Sequence, residues 1–193
     1  MRLILENEYV IAAMSNIIIL YSTTDGHTRD ICQCLQRVVE EQAQHVSLVP
    51  IHDAAGIDLA AFDKIVIGAS IRYGKHQPEV YAFIKKNLSI LQSRLSAFFT
   101  VNVVARKPEK STPETNPYLI KFLKQIAWKP DHLAVFAGKI DYKKYKVIDR
   151  IMIRFIMWMT KGPTDPSSNI DFTNWNQVKE FGLFISNMQR SKN

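Results

Sequence analysis

Cysteine is scarce in this 193-residue chain: Cys32 and Cys34 are its only two. Thiols one residue apart make poor disulfide partners, and no further Cys or Cys/His pair exists to complete a zinc site. They read as reduced structural thiols, which suits a cytoplasmic setting. Glycine is sparse too, at seven residues. Gly26 stands alone after the first apolar run, so the G-x-G-x-x-G turn of a dinucleotide fold is missing, and no G-x-x-x-x-G-K-[ST] loop occurs. A magnesium-binding receiver site needs carboxylates at the ends of its first and third strands, where this chain has Tyr21-Ser22 and Gly68-Ala69-Ser70. No apolar run approaches the ~20 residues that span a bilayer. The opening MRLILENEYVIAA carries Glu6 and Glu8 inside its apolar stretch, which makes a poor secretory signal. With Met14 directly before the first strong strand, residues 1–13 are expected to be an extension, from an upstream start codon, outside a single domain over 14–193.

What the chain does have is unevenly placed positive charge. The net charge is +7. Residues 1–100 hold nine Lys/Arg against ten Asp/Glu, residues 101–161 hold thirteen against five, and the remainder balances at three against three. Basicity therefore belongs to the third quarter of the chain, which should face something anionic or be a solvated surface. Hydrophobic residues make up 47%, enough for a substantial core at this length.

Five apolar runs read as strands: 16–21, 46–51, 63–69, 97–104 and 133–137. Between and after them, helical periodicity fits 27–44, 79–91, 118–128, 146–160 and 174–188. Strands alternating with helices imply parallel pairing and right-handed crossovers, hence a doubly wound five-stranded α/β sheet, with order 2-1-3-4-5 and a ligand at the carboxyl ends of the strands.

Two loops at those strand ends carry the chemistry. The first is Ser22-Thr23-Thr24-Asp25-Gly26-His27-Thr28, four hydroxyls and a glycine running into a helix N-terminus, where unpaired N–H groups and the dipole favour a phosphate. The alternative is an ordinary N-cap by Thr24 or Asp25. The second is Ser70-Ile71-Arg72-Tyr73-Gly74, followed by Lys75 and His76. Tyr73 could stack on a flat heterocycle, Gly74 permits close approach, and Arg72 could counter charge on a reduced ring. His76 is expected at the surface and His27 at the phosphate.

The first loop is similar to the flavodoxin T/S-x-T-G-x-T signature, with Thr24, Gly26 and Thr28 in register; Asp25 and His27 stand where flavodoxins commonly carry Thr and Asn. More specifically, YSTTDGHT, VIGASIRYGKH, VNVVARKPEKSTPETNPY and DRIMIRFIMWM resemble the flavodoxin-like, quinone-dependent protoporphyrinogen IX dehydrogenases of bacterial haem synthesis. The likeness covers about residues 14–190. It implies a flavodoxin-like sheet with an extra amphipathic helical segment after strand five, and FMN as cofactor. It also implies a six-electron oxidation of protoporphyrinogen IX in three two-electron steps, with electrons passed to a membrane quinone such as menaquinone or ubiquinone. An electron-carrying flavodoxin and another FMN-dependent quinone reductase are the alternatives; carriers are usually acidic, whereas this chain is basic.

In such a fold the loop after strand four also borders the flavin, so Asn102, Val103, Ala105 and Arg106 join the cofactor candidates. Arg106, Lys107 and Lys110 are candidates for the substrate's propionates, against the alternative of a solvated loop. No catalytic acid or base is assigned, since the chemistry is the flavin's. In Lys146–Lys161, an apolar stripe of Ile148, Ile151, Met152, Phe155, Ile156 and Met159 lies beside a narrow polar side marked by Arg150 and Arg154. With Phe155 and Trp158 these arginines suggest a helix resting on an anionic membrane surface, placing the protein peripherally on the inner face of the cell membrane. The alternative is a core helix. Metal and nucleic acid are not expected ligands, and nothing in the sequence sets an oligomeric state.

Overall fold

The computed structural model describes residues 14–145, 147–159 and 162–189; the extension expected over residues 1–13 lies outside them. Five strands form a parallel sheet, β1 (Asn16–Ser22), β2 (His45–Pro50), β3 (Lys64–Ser70), β4 (Leu95–Asn102) and β5 (His132–Ala137), in the order β2-β1-β3-β4-β5. The central strands are buried on both faces, which is why they read as continuous apolar runs rather than alternating ones.

Alternate side chains feed two separate cores. On one face Ile17, Ile19, Val66 and Phe99 pack against α1 (His27–Glu40) and α6 (Trp175–Asn187). On the other, Ile18, Leu20, Ile67 and Phe98 meet α2 (Pro78–Lys86), α3 (Leu88–Ser93) and α4 (Pro117–Leu123). Gly68 is a steric requirement of this packing, because a Cβ there would lie 2.1 Å from the Phe99 ring. Cys32 and Cys34 are free and buried in the first core, where burial pushes the Cys32 thiol far up and keeps it protonated. Lys64 is buried under α6 and donates from Nζ to the carbonyls of Ile185 (3.0 Å) and Ser186 (2.7 Å), capping the last turn of that helix.

Two helices end earlier than the sequence expectation, α1 at Glu40 rather than 44 and α4 at Leu123 rather than 128, and three further elements differ in kind. The helix expected over 79–91 is two, because Asn87 closes α2 with a side-chain bond to the Phe83 carbonyl (2.9 Å) before α3 begins. The strand expected over 97–104 ends at Asn102, whose side chain accepts from the Ala105 N–H (3.0 Å) and turns Val103–Arg106 into a 3-10 turn. A two-stranded antiparallel sheet, β6 (Lys139–Asp141) with β7 (Asn169–Asp171), was not anticipated at all. Three residues per strand leave no periodicity to read. Together with α5 (Val147–Met159) it forms a third, small cluster of Ile140, Tyr142, Tyr145 and Met157 at the end of the main sheet.

Candidate cofactor site

A cleft lies at the carboxyl ends of β1, β3 and β4. Its floor is the turn between β1 and α1. Gly26 takes the N-cap position with φ of +89°, a left-handed conformation that suits glycine, and no side chain caps the helix. The ordinary N-cap alternative is thereby excluded: Thr23 Oγ1 accepts from the Gly26 N–H (3.1 Å), Thr24 Oγ1 accepts from Gln77 (3.0 Å), and Asp25 pairs with Arg72. The first N–H groups of α1 thus meet no capping side chain. Thr28, in that first turn, lines the cleft with a buried Oγ1 that has no hydrogen-bond partner. Ser70, across the cleft, has an Oγ in the same condition. Orphaned hydroxyls beside an uncapped helix N-terminus fit a bound phosphate ester.

The far wall is the turn after β3. Arg72 and Lys75 exchange backbone bonds (2.8 and 3.1 Å) around Tyr73 and Gly74, whose φ values of +52° and +75° are those of a tight two-residue hairpin. This turn holds Tyr73 half exposed at the rim, where its ring can stack on a flat ligand. Arg72 does something other than expected. Its guanidinium binds Asp25 (2.9 Å) and Asp149 of α5 (2.5 Å), and lies 5.5 Å from the Tyr73 ring centre and 5.3 Å from that of Tyr145. Two carboxylates already neutralise it, so it serves as a cross-link between the floor, the wall and α5 rather than as an open counter-charge.

The helix α5 closes the third side. Ile153, Ile156 and Met157 line the cleft with Tyr145 and Lys139. Arg150 donates to the carbonyls of Tyr142 (3.1 Å) and Tyr145 (3.4 Å), so it points inward and does not mark an outer polar edge. The outer face instead exposes Val147, Ile148, Ile151, Met152, Phe155, Trp158 and Met159, each at least 42% accessible, with Arg154 among them. The core-helix alternative is excluded by that exposure; only Met157 of this helix is buried.

Of the sequence candidates, Thr23, Thr24, Asp25, His27, Thr28, Ser70, Ile71, Arg72, Tyr73, Gly74, Asn102 and Val103 come together around the cleft. Ser22, Gly26, Ala105 and Arg106 do not line it. Ser22 Oγ is drawn to Glu79 (2.6 Å) and Ala105 is buried by the turn that Asn102 caps. Arg106 bonds the Val103 carbonyl (3.1 Å) and places its guanidinium beside Gly162. Lys107 and Lys110 also lie off the cleft wall, because Asn116 ties their loop back to α4 by bonding Asn102 and the Lys110 carbonyl (2.8 Å). His76 is buried at 4% exposure, not on the surface. It packs edge-on against Phe98 and Phe122 and donates from Nδ1 to the Ser70 carbonyl, 3.2 Å away. Burial lowers its pKa to about 4, so the ring is neutral. Sequence reasoning missed Tyr118 of α4, and it missed Lys139, Tyr145 and Asp149, whose place at the site depends on where the segment between β6 and β7 folds back.

The flavodoxin-domain family matches residues 18–167. A protoporphyrinogen IX dehydrogenase [quinone] of Escherichia coli K12 is 42% identical over 171 residues, covering 89% of this chain and 94% of that protein. The chain belongs to the flavodoxin-domain protoporphyrinogen IX dehydrogenase family. A relative of the same name from Leishmania major is 42% identical over 165 residues, 85% of this chain and 71% of that protein. Among solved structures, oxidised flavodoxin 2 of Bacillus cereus aligns with a TM-score of 0.53 over 89% of this chain and 98% of its own, at 15% identity. That likeness concerns the fold. The segment from β6 to β7 supplies α5 and the outer wall of the cleft.

Proposed function

We propose that the chain oxidises protoporphyrinogen IX to protoporphyrin IX with FMN and delivers the electrons to a membrane quinone. The observation that carries this reading is the cleft itself: an uncapped helix N-terminus with the orphaned hydroxyl of Thr28 on one side, and across from it the orphaned hydroxyl of Ser70 and Tyr73 on its tight hairpin. When bound, FMN would supply two-electron redox chemistry between the porphyrinogen and the quinone. The protein's part is to hold the phosphate on the α1 N-terminus, flank the ring with Tyr73 and the backbone of the β3 and β4 turns, and wall the site from water with Ile153, Ile156 and Met157. No side chain is assigned as a proton carrier.

The apolar outer face of α5 supports a second part of the proposal, that the helix lies in the headgroup layer of an anionic membrane. No helix among the described residues is long and apolar enough to cross a membrane. Its inner face lines the cleft while its outer face meets lipid, so a lipophilic donor and a lipophilic acceptor reach the same opening without crossing water. Lys143, exposed just before the helix, and Arg154 on it supply positive charge at that edge.

Purified protein should show the visible bands of FMN at one per chain, and these should bleach on anaerobic addition of protoporphyrinogen IX and return with a short-chain quinone. Bands that persist with porphyrinogen but bleach with NADH would favour the other quinone reductase, and colourless protein that takes up no FMN would remove the cofactor assignment.

A further inference from the structure

The turn between β1 and α1 contains no Lys or Arg of its own: residues 22–28 read STTDGHT. The one residue in that stretch able to carry positive charge is His27, the first residue of α1, whose side chain is 13% exposed. Its surroundings come from three elements. On its own helix, Asp30 Oδ2 is 4.0 Å from Nδ1. At the end of β7, Asp171 Oδ1 is 3.6 Å from Nε2. At the start of α6, Trp175 packs its ring edge-on at 5.9 Å. Between β7 and α6, Thr173 Oγ1 lies 2.7 Å from Nε2 and itself donates to the Ala137 carbonyl at 2.8 Å. A hydroxyl has one proton to give, so the imidazole is the donor in its bond to Thr173 and Nε2 carries a hydrogen.

Two carboxylates thus face one imidazole at the mouth of an anion site. Asp171 is held ionised there: burial works against it, but the N–H of Thr173 (2.9 Å), His27 and the indole of Trp175 keep its carboxyl below the usual range. The other cations on the cleft wall are placed differently. Arg72 is engaged by Asp25 and Asp149, and Lys139 stands on β6 in backbone register with Asp171 of β7.

We propose that His27 is the charge partner of the flavin's phosphate, taking up a proton when FMN binds and so making this chain select phosphorylated over unphosphorylated flavin by a pH-dependent margin. This rests on the FMN reading above. Asp30 and Asp171 favour the protonated ring, and a dianionic phosphate at the α1 N-terminus adds to them. Riboflavin, with no phosphate, gains nothing from the proton. A flavin phosphate has its own second ionisation near pH 6, so above about pH 7 the ligand is a dianion throughout and any further loss of affinity belongs to the protein.

The test is a fluorescence-quenching titration of apoprotein with FMN and with riboflavin between about pH 7 and pH 9. The Kd for FMN should rise with pH, at most about tenfold per unit while one proton is linked, and the Kd for riboflavin should stay flat. His27→Gln should weaken FMN at pH 7 and abolish the slope, while leaving riboflavin unchanged. Calorimetry at pH 8 in two buffers of different ionisation enthalpy should show proton uptake with FMN only. A pH-independent Kd for FMN, an equal slope for riboflavin, or an undiminished slope in His27→Gln overturns the proposal. Should His27→Gln fail to fold, Asp171→Asn serves instead: the rise in Kd should begin at lower pH, and an unmoved curve overturns it. Protein that binds neither flavin overturns the FMN reading itself, which separates the two failures.

Discussion

Between Ser70 and His76 the chain accepts two costly arrangements within seven residues. Tyr73 adopts a φ of +52°, which costs a non-glycine residue on the order of 1 kcal/mol or more. His76 is buried with its Nε2 lacking any hydrogen-bond partner. Both act on the same object, the edge of β3, since the Nδ1–H of His76 holds the Ser70 carbonyl and so sets where the Tyr73 turn begins. The cost of His76 has a pH signature. Its pKa is lowered from 6.5 to about 4 by burial, so the unfolded chain binds a proton that the folded chain refuses. Stability is therefore complete above about pH 6.5 and lost as pH falls toward 4, by on the order of 3 kcal/mol. Urea unfolding midpoints measured between pH 7 and about pH 4.5 should fall steeply in the native sequence and less steeply in His76→Leu; parallel curves would assign the acid sensitivity elsewhere. The first loop of the cleft was legible in the sequence because its hydroxyls are nearly contiguous. The burial of His76 was not, because Phe98 and Phe122, which cover it, come from β4 and α4.

The same contrast holds for whole elements. The sheet was readable because each strand is a local apolar run and β-α alternation constrains the order. The amphipathic pattern of α5 was readable as well, but periodicity reports that a helix has two unlike faces and not which of them meets the protein. Three contacts decide it: Asp149 to Arg72, and Arg150 to the carbonyls of Tyr142 and Tyr145. They lie in the first turn, so α5 is fastened at its N-terminal end and rests on the cleft through Ile153, Ile156 and Met157. Asp149 and Arg72 are 18% and 17% exposed, shielded enough for their bond to matter. Asp149→Asn should cost about 1–3 kcal/mol of the local opening free energy of this helix. Amide exchange over 147–159 should then quicken by about tenfold or more, and bound FMN should leave faster, while exchange in α2 and α4 stays as before. Equal acceleration in all helices would mean that the pair supports the whole fold rather than the lid-like seat of α5.

At the scale of the molecule, charge and exposed apolar surface gather at the same end. The sheet's two cores are closed by α1 and α6 on one face and α2 to α4 on the other, whereas α5 presents seven large apolar side chains outward from the mouth of the cleft. Exposed apolar residues scattered singly need no explanation, but a continuous helical face does. The basic stretch over 101–161 surrounds that face in sequence, and Lys143 and Arg154 are exposed beside it. Arg150 is a poor residue with which to probe this surface, since its guanidinium holds the helix to the protein. Phe155 and Trp158, at 57% and 70% exposure, can be changed without disturbing an internal contact of the cleft. Each should contribute roughly 1–2 kcal/mol when moved from water into the lipid boundary. Replacing both with Ser should therefore reduce flotation with anionic vesicles by about tenfold or more while FMN content and Tm hold. Arg154→Glu should weaken the same binding mainly at low salt, because only the electrostatic part is screened. Flotation that ignores both changes would detach α5 from the membrane, and the porphyrinogen would then have to reach Tyr73 from solution.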